Sequence, residues 1–186
     1  MAAGGMAARP LPGGQEFFVL KLAVTQRVSY DRPVPTVLSR LAPLPVDGRP
    51  RRRFTLSLIT MRWLINGRTF AMDDYPVTVD RGATEVWELH NQPQSMPHPM
   101  HLHGRSFRVL RRAGSPEQLA RLAVDDQGRN VTDLGRKDTV LVWPGETVTI
   151  AASFAHPFQT EQLYLLHCHI LEHEDAGMML NVRVRQ

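Results

Sequence analysis

The sequence predicts an all-β fold, a sandwich or barrel of short strands with one short helix in a loop, preceded by an extended N-terminal segment. Three observations carry this. Strand-like runs recur from Phe54 to Val184 with turn residues between them. The 14 prolines and 13 glycines are spread along the 186 residues and punctuate short segments, which excludes collagen-like and low-complexity chains. One segment departs from the strand pattern: Pro116 to Val124 places Leu119, Leu122 and Ala123 at helical spacing.

With 42% hydrophobic and 22% charged residues, the chain can bury one real core. Residues 1–15, rich in Ala, Gly and Pro and without periodicity, read as a flexible start. Within 16–30, Phe17 to Val24 reads FFVLKLAV, apolar at nearly every position, and predicts a largely buried orphan strand. Residues 31–53 carry Pro33, Pro35, Pro43, Pro45, Pro50, Gly48 and the run Arg51 to Arg53, and predict an extended, solvated linker containing a domain boundary. Residues 54–186 form the domain proper, with strands predicted at 54–59, 62–67, 76–79, 84–91, 106–112, 138–143, 146–154, 162–169 and 179–184. The spacing is too irregular for a solenoid or propeller.

The net charge of +4, from 22 basic and 18 acidic residues, is modest. The arginine run has no interleaved aromatics to stack bases, so no nucleic-acid partner is expected. No stretch approaches the roughly 18 apolar residues of a membrane span, and no export signal is visible at the N-terminus. Cys168 is the only cysteine, so no intrachain disulfide can form and the thiol is core, nucleophile or metal ligand.

Six of the eight histidines fall in two windows, HPMHLHG at 98–104 and HCHILEHEDAGMM at 167–179. Side chains alternate along a strand, so His167 and His169 face one way and Cys168 the other, and two metal centres can sit across one backbone. The same rule puts His101 and His103 on one face, giving four imidazoles on one surface if the two segments are adjacent. Behind them, Cys168 can be joined by His98, His173 and Met178, with Gly177 allowing a tight return. Two imidazoles, a thiolate and a thioether are the donors of a blue-copper electron-transfer site. A structural zinc site is the alternative, but it leaves the thioether and the other imidazoles unexplained. His90 and His156 stand alone and read as structural or exposed.

The two windows together are similar to the copper signatures that close the C-terminal domain of multicopper oxidases, such as bacterial laccases, cuprous oxidases and bilirubin oxidases. The resemblance runs from about Phe17 to the C-terminus and implies a cupredoxin-like Greek-key sandwich or barrel. It implies a type 1 copper held by His98, Cys168, His173 and Met178, type 2 copper on His101, and type 3 copper on His103, His167 and His169. Electrons would pass from a phenolic or similar small-molecule donor through Cys168 and its neighbours His167 and His169 to a trinuclear cluster that reduces O2 to water. Glu174 occupies the family's proton-relay position, with an orienting hydrogen bond as its alternative role. The family's cluster takes eight histidines and this chain holds the C-terminal four. The type 1 site is thus complete, while the type 2 and type 3 sites are half supplied, to be completed by N-terminal cupredoxin domains or another chain. In the family a strand closing the middle domain precedes the last linker, which matches the orphan strand at 16–30. Relatives are usually exported, so a periplasmic or extracellular location is the expectation.

Met61, Met72, Met96 and Met100 are scattered and read as gap-fillers rather than a copper-binding insert. Gln92 and Gln94 stand where some relatives carry a carboxylate, which speaks against a metal-ion substrate. Trp63, Trp87 and Trp143 lie in strand patterns and read as core, and Asp138 as a turn or salt-bridge residue. The second functional reading is an isolated blue-copper electron carrier or copper-binding domain without oxidase activity.

Overall fold

The computed structural model describes residues 20–42, 44–47 and 51–186. Among these, ten strands and two short helices occur in the order β1 Arg52–Ile59, β2 Arg62–Ile65, β3 Val77–Asp80, β4 Thr84–Asn91, β5 His98–Leu102, β6 Phe107–Ala113, α1 Glu117–Ala120, β7 Thr139–Val142, β8 Thr147–Ser153, β9 Gln162–Cys168, α2 Leu171–Asp175 and β10 Met179–Arg185. They form two five-stranded sheets, ordered β2-β1-β4-β8-β6 and β3-β10-β9-β5-β7. The pairings are antiparallel except β1 with β4 and β10 with β3. This is the expected cupredoxin-like β-sandwich. No helix among the described residues is long and apolar enough to cross a membrane.

Each sheet turns a row of alternate apolar side chains inward, as strands with one buried face must. Phe54, Leu56, Trp87, Leu89, Val148 and Ile150 of the first sheet meet Met100, Leu102, Val140, Leu166 and Val182 of the second, and Cys168 and Met178 belong to the same core. Trp87 anchors it, edge-on to Phe54 at 5.0 Å, with its indole N–H donating to Glu85 at 2.7 Å.

Three expectations are corrected. First, β5 falls at His98–Leu102, a segment not among the predicted strands, and it contains Pro99. Proline is tolerated here because only its carbonyl is used, accepting from the His169 N–H at 2.8 Å where β9 ends. Second, the helix read over 116–124 is the single turn α1 with no buried residue, too short for an apolar face to form, and α2 was not anticipated. Third, Arg52 and Arg53 open β1 rather than ending a solvated linker, because Arg52 pairs with Glu85 at 2.6 Å and donates to the Thr78 carbonyl. Of the apolar run at 17–24, Phe17, Phe18 and Val19 lie outside the described residues, and Leu20, Leu22 and Val24 are exposed and in no strand of this sandwich. The Arg108 guanidinium holds the Ala42 carbonyl, so the segment meets the sandwich at its end.

The two sheets also decide why glycine follows the second HxH histidine. Gly104 has φ +60°, and a Cβ there would come within 2.7 Å of the Tyr164 ring on β9.

Candidate metal centre

The centre is built on the central strands of the second sheet, where β5 and β9 pair antiparallel with Met100 opposite Cys168 and His101 opposite His167. Alternation does the rest. His98, Met100 and Cys168 point into the sandwich, while His101 and His167 point out of it.

On the inner face, Cys168 Sγ lies 3.4 Å from His98 Nδ1 and 3.3 Å from His173 Nδ1. His173 arrives from α2, a turn closed by the Cys168 N–H donating to the Met178 carbonyl at 3.1 Å and the Met178 N–H to the His173 carbonyl at 2.8 Å. Gly177, at φ +85°, makes the reversal and gives its carbonyl to the Phe70 N–H at 2.9 Å. All of this is buried: His98, Cys168 and Met178 are 0% exposed and His173 is 3%. Burial holds the His98 imidazole neutral, lowering its pKa to about 3, and pushes the Cys168 thiol up to about 11. His173 is lowered too, by burial.

On the outer face, His101, His103, His167 and His169 form one group. His103 and His167 bring their Nε2 atoms to 2.9 Å, and the His101 ring lies 5.0, 5.4 and 5.6 Å from those of His103, His167 and His169. His101 Nδ1 meets the Asp138 carbonyl and Thr139 Oγ1, both at 2.9 Å, and His167 Nδ1 meets the Cys168 carbonyl at 3.0 Å. A carbonyl only accepts, so in both rings Nδ1 carries the hydrogen and Nε2 presents its lone pair. The two faces therefore use opposite ring nitrogens. Glu174 Oε2 stands 3.4 Å from His167 Nδ1. Ligand atoms of His98, Cys168 and His173, and separately of His101, His103 and His167, lie within 4.8 Å of one another.

Compared with known proteins, residues 44–186 match the profile of the family described as multicopper oxidase. The chain belongs to the multicopper oxidase family. It is 40% identical over 153 residues to a laccase of Haloferax volcanii, covering 78% of this chain and 24% of that protein. It is 42% identical over 140 residues to a laccase of Bacillus subtilis, covering 71% and 24%. The crystal structure of the multicopper oxidase McoA from the hyperthermophile Aquifex aeolicus superposes with a TM-score of 0.73 at 40% identity, over 86% of this chain and 34% of that one. The chain thus spans about a quarter of the length of these laccases. Multicopper oxidases use copper, and the donor chemistry fits it: two neutral imidazoles converge on one buried sulfur, with a thioether residue in the same core.

Membership in a multicopper oxidase family leaves the supporting residues to the geometry. The bonds of Ser95 to His98 and of the Asp138 carbonyl to His101 are not legible in the sequence, since Ser95 carries no motif and a carbonyl has no sequence signature. Ser95 Oγ lies 2.8 Å from His98 Nε2, and its loop is held by Asn91, which donates to the Met96 and Val142 carbonyls at 2.7 and 3.0 Å. Through this bond Ser95 fixes the His98 ring with its Nδ1 facing the sulfur. Ser95→Ala is expected to lower copper affinity about 10–100-fold, the usual cost of losing a ligand's hydrogen-bond partner. Competitive copper titration against a chelator checks this, and an unchanged affinity would refute it.

His90 and His156 join neither group; His90 bonds Thr147 Oγ1 at 2.9 Å and His156 is buried. Met100 fills the core, but Met61 and Met72 are exposed rather than gap-filling. Trp87 is core as expected, whereas Trp63 packs on the imidazoles of His173 and His98 as well.

The lowered imidazoles set an acid limit on the metal-free fold. Burial disfavours the charged forms of His98, His103, His167 and His173. The unfolded chain therefore binds more protons below the ordinary value of about 6.5. Their contribution is whole above that pH and is lost as pH falls, for His98 down to about 3. Urea unfolding of the metal-free chain is expected to show stability falling by on the order of a few kcal/mol between about pH 7 and 5, above most carboxylate titration. A flat profile would contradict this.

Proposed function

We propose that this chain is the copper-binding C-terminal domain of a laccase-type oxidase. In this reading it takes single electrons from a phenolic or similar donor and passes them toward a trinuclear cluster that reduces O2 to water. The observation that carries it is the placement of Cys168 between two faces of one sheet. Its sulfur meets His98 and His173 inside, while its chain neighbour His167 joins the four-imidazole group outside.

His98, Cys168, His173 and Met178 would hold the type 1 ion, His101 type 2, and His103, His167 and His169 their share of type 3. Copper bound there supplies one-electron redox chemistry at the inner site and four-electron delivery to dioxygen at a completed cluster. The chain's residues do the rest. The buried inner face excludes water, and the Cys168 backbone joins the sulfur to His167 and His169 through covalent bonds. The Asp138 and Cys168 carbonyls aim Nε2 of His101 and His167 at the cluster. Glu174 would hand protons from solvent toward the outer face, a role supported by its being a third exposed and 3.4 Å from His167 Nδ1.

The missing half of the cluster would come from N-terminal cupredoxin domains or another chain, and the exposed run at 20–24 would close a preceding domain. The chain divides in this reading as 1–15, 16–30, 31–53 and 54–186, in a periplasmic or extracellular setting. A carrier that only shuttles electrons has no use for the outer imidazoles, which favours the oxidase reading.

A copper titration tests it. The thiolate-to-copper band is expected to saturate at about one equivalent, with further copper held weakly by the half cluster. Absence of a blue band would overturn the reading, and a blue chain with no affinity for further copper would favour the carrier.

A further inference from the structure

The inner site is sealed. His98, Cys168 and Met178 have no exposed surface and His173 has 3%, so a donor molecule can touch none of them appreciably. One ring spans the gap. Trp63 on β2 lies with its centroid 4.0 Å from that of His173, tilted by only 31°, and 5.5 Å from that of His98. Apart from the two imidazoles themselves, it is the one aromatic side chain among the described residues in ring contact with both, and it is only partly buried. Trp87, by contrast, is wholly buried.

Its location adds a second observation. β2 is the edge strand of its sheet, and the hairpin that delivers Trp63 turns through Thr60 at φ +48° and Met61 at φ +61°. Neither is glycine, and together they form the two-residue loop of the β1–β2 hairpin, where positive φ at both positions matches the twist of the flanking strands. The tight turn sets where the next strand starts, and so how the indole overlies His173.

Resting on the reading of the inner face as a type 1 copper site, we propose that Trp63 is the surface through which an aromatic donor delivers its electron. A planar phenol stacks on the exposed part of the indole, which prefers offset or edge contact with another ring. The phenol loses one electron and releases its hydroxyl proton to solvent, becoming a phenoxyl radical. His98, Cys168 and His173 would hold the cupric ion that takes up that electron and becomes cuprous. Trp63 couples the two through its packing on His173 and ends unchanged.

Two measurements on the full chain test this. In the metal-free, nitrogen-15-labelled chain, 2,6-dimethoxyphenol is titrated while the indole N–H resonances are followed, that of Trp63 being identified by its loss in Trp63→Phe. The Trp63 resonance is expected to shift with phenol and the Trp87 resonance to stay. In the copper-loaded chain without oxygen, bleaching of the thiolate band by the same phenol is timed. Trp63→Leu is expected to slow it at least about tenfold, and Trp63→Phe to restore it to within about threefold of the parent, with the reduction potential unchanged. A Trp63 resonance that ignores phenol, or bleaching in Trp63→Leu at the parental rate, overturns the proposal. Slowing matched by a shifted potential overturns it too, leaving Trp63 as a residue that only positions His173. A parent chain that never turns blue sinks the copper reading instead, and the resonance titration still decides whether Trp63 is the donor surface.

Discussion

Cys168→Ser is expected to abolish the blue band and to weaken copper binding at the inner face by more than about 100-fold, beyond the range for loss of a ligand's hydrogen-bond partner. The hydroxyl nearly fits the space of the thiol and can bond the same Nδ1 atoms, which lie 3.4 and 3.3 Å from the sulfur, so the fold has no cause to fail. What is lost is the soft, ionisable donor. The thiol is held up to about 11 by burial, so copper must displace its proton, and copper affinity of the parent should rise with pH. Serine has no comparable proton to give. Absorbance and chelator competition on parent and variant decide the matter: a retained blue band would exclude Cys168 as the ligand.

Arg112→Met should give the largest loss of stability, about 3–5 kcal/mol, because it breaks a buried ionic network on one side only. Arg112, on β6, donates to both oxygens of Asp133 at 2.7 and 3.0 Å, to Glu146 at 3.1 and 3.2 Å and to the Leu141 carbonyl at 3.1 Å. Burial opposes the charge of Arg112, but the hydrogen bond to Asp133 and the charge of Glu146 outweigh it and raise its pKa. Both carboxylates are fully buried, and without the guanidinium they must either stay charged with no cation or take up protons. The network pins the excursion between β6 and β7, through the short turn Val131–Asp133, to the β7–β8 turn. That excursion ends at Asp138, whose carbonyl orients His101. Arg112→Lys should recover only part of the loss, since an ammonium cannot fork across two carboxylates. Urea denaturation measures both, and an Arg112→Met variant within about 1 kcal/mol of the parent would contradict the account.

Much of this was legible because the signals are local. The nine strands predicted within 54–186 lie at their predicted places, since alternation and turn residues act over a few positions. The opposition of Cys168 to His167 and His169 follows from the period of two, and the soft donors around it announce copper chemistry wherever they meet. The strand β5 was hidden by Pro99, and α2 by its length of five residues.

Residue identity and spacing settled the all-β sandwich and the division of HCH between two faces, because each depends on neighbours in the chain. Only the tertiary structure decided that Met100 lies opposite Cys168 and His101 opposite His167. Pairing strands more than 60 residues apart depends on the packing of the whole core, and no short window of sequence holds it. The same holds for the carbonyls of Asp138 and Cys168 that choose the ring nitrogens of His101 and His167, and for Trp63, whose strand pattern reads as core. Its indole meets His173 because β2, at one edge of the first sheet, lies beside α2, which carries that imidazole.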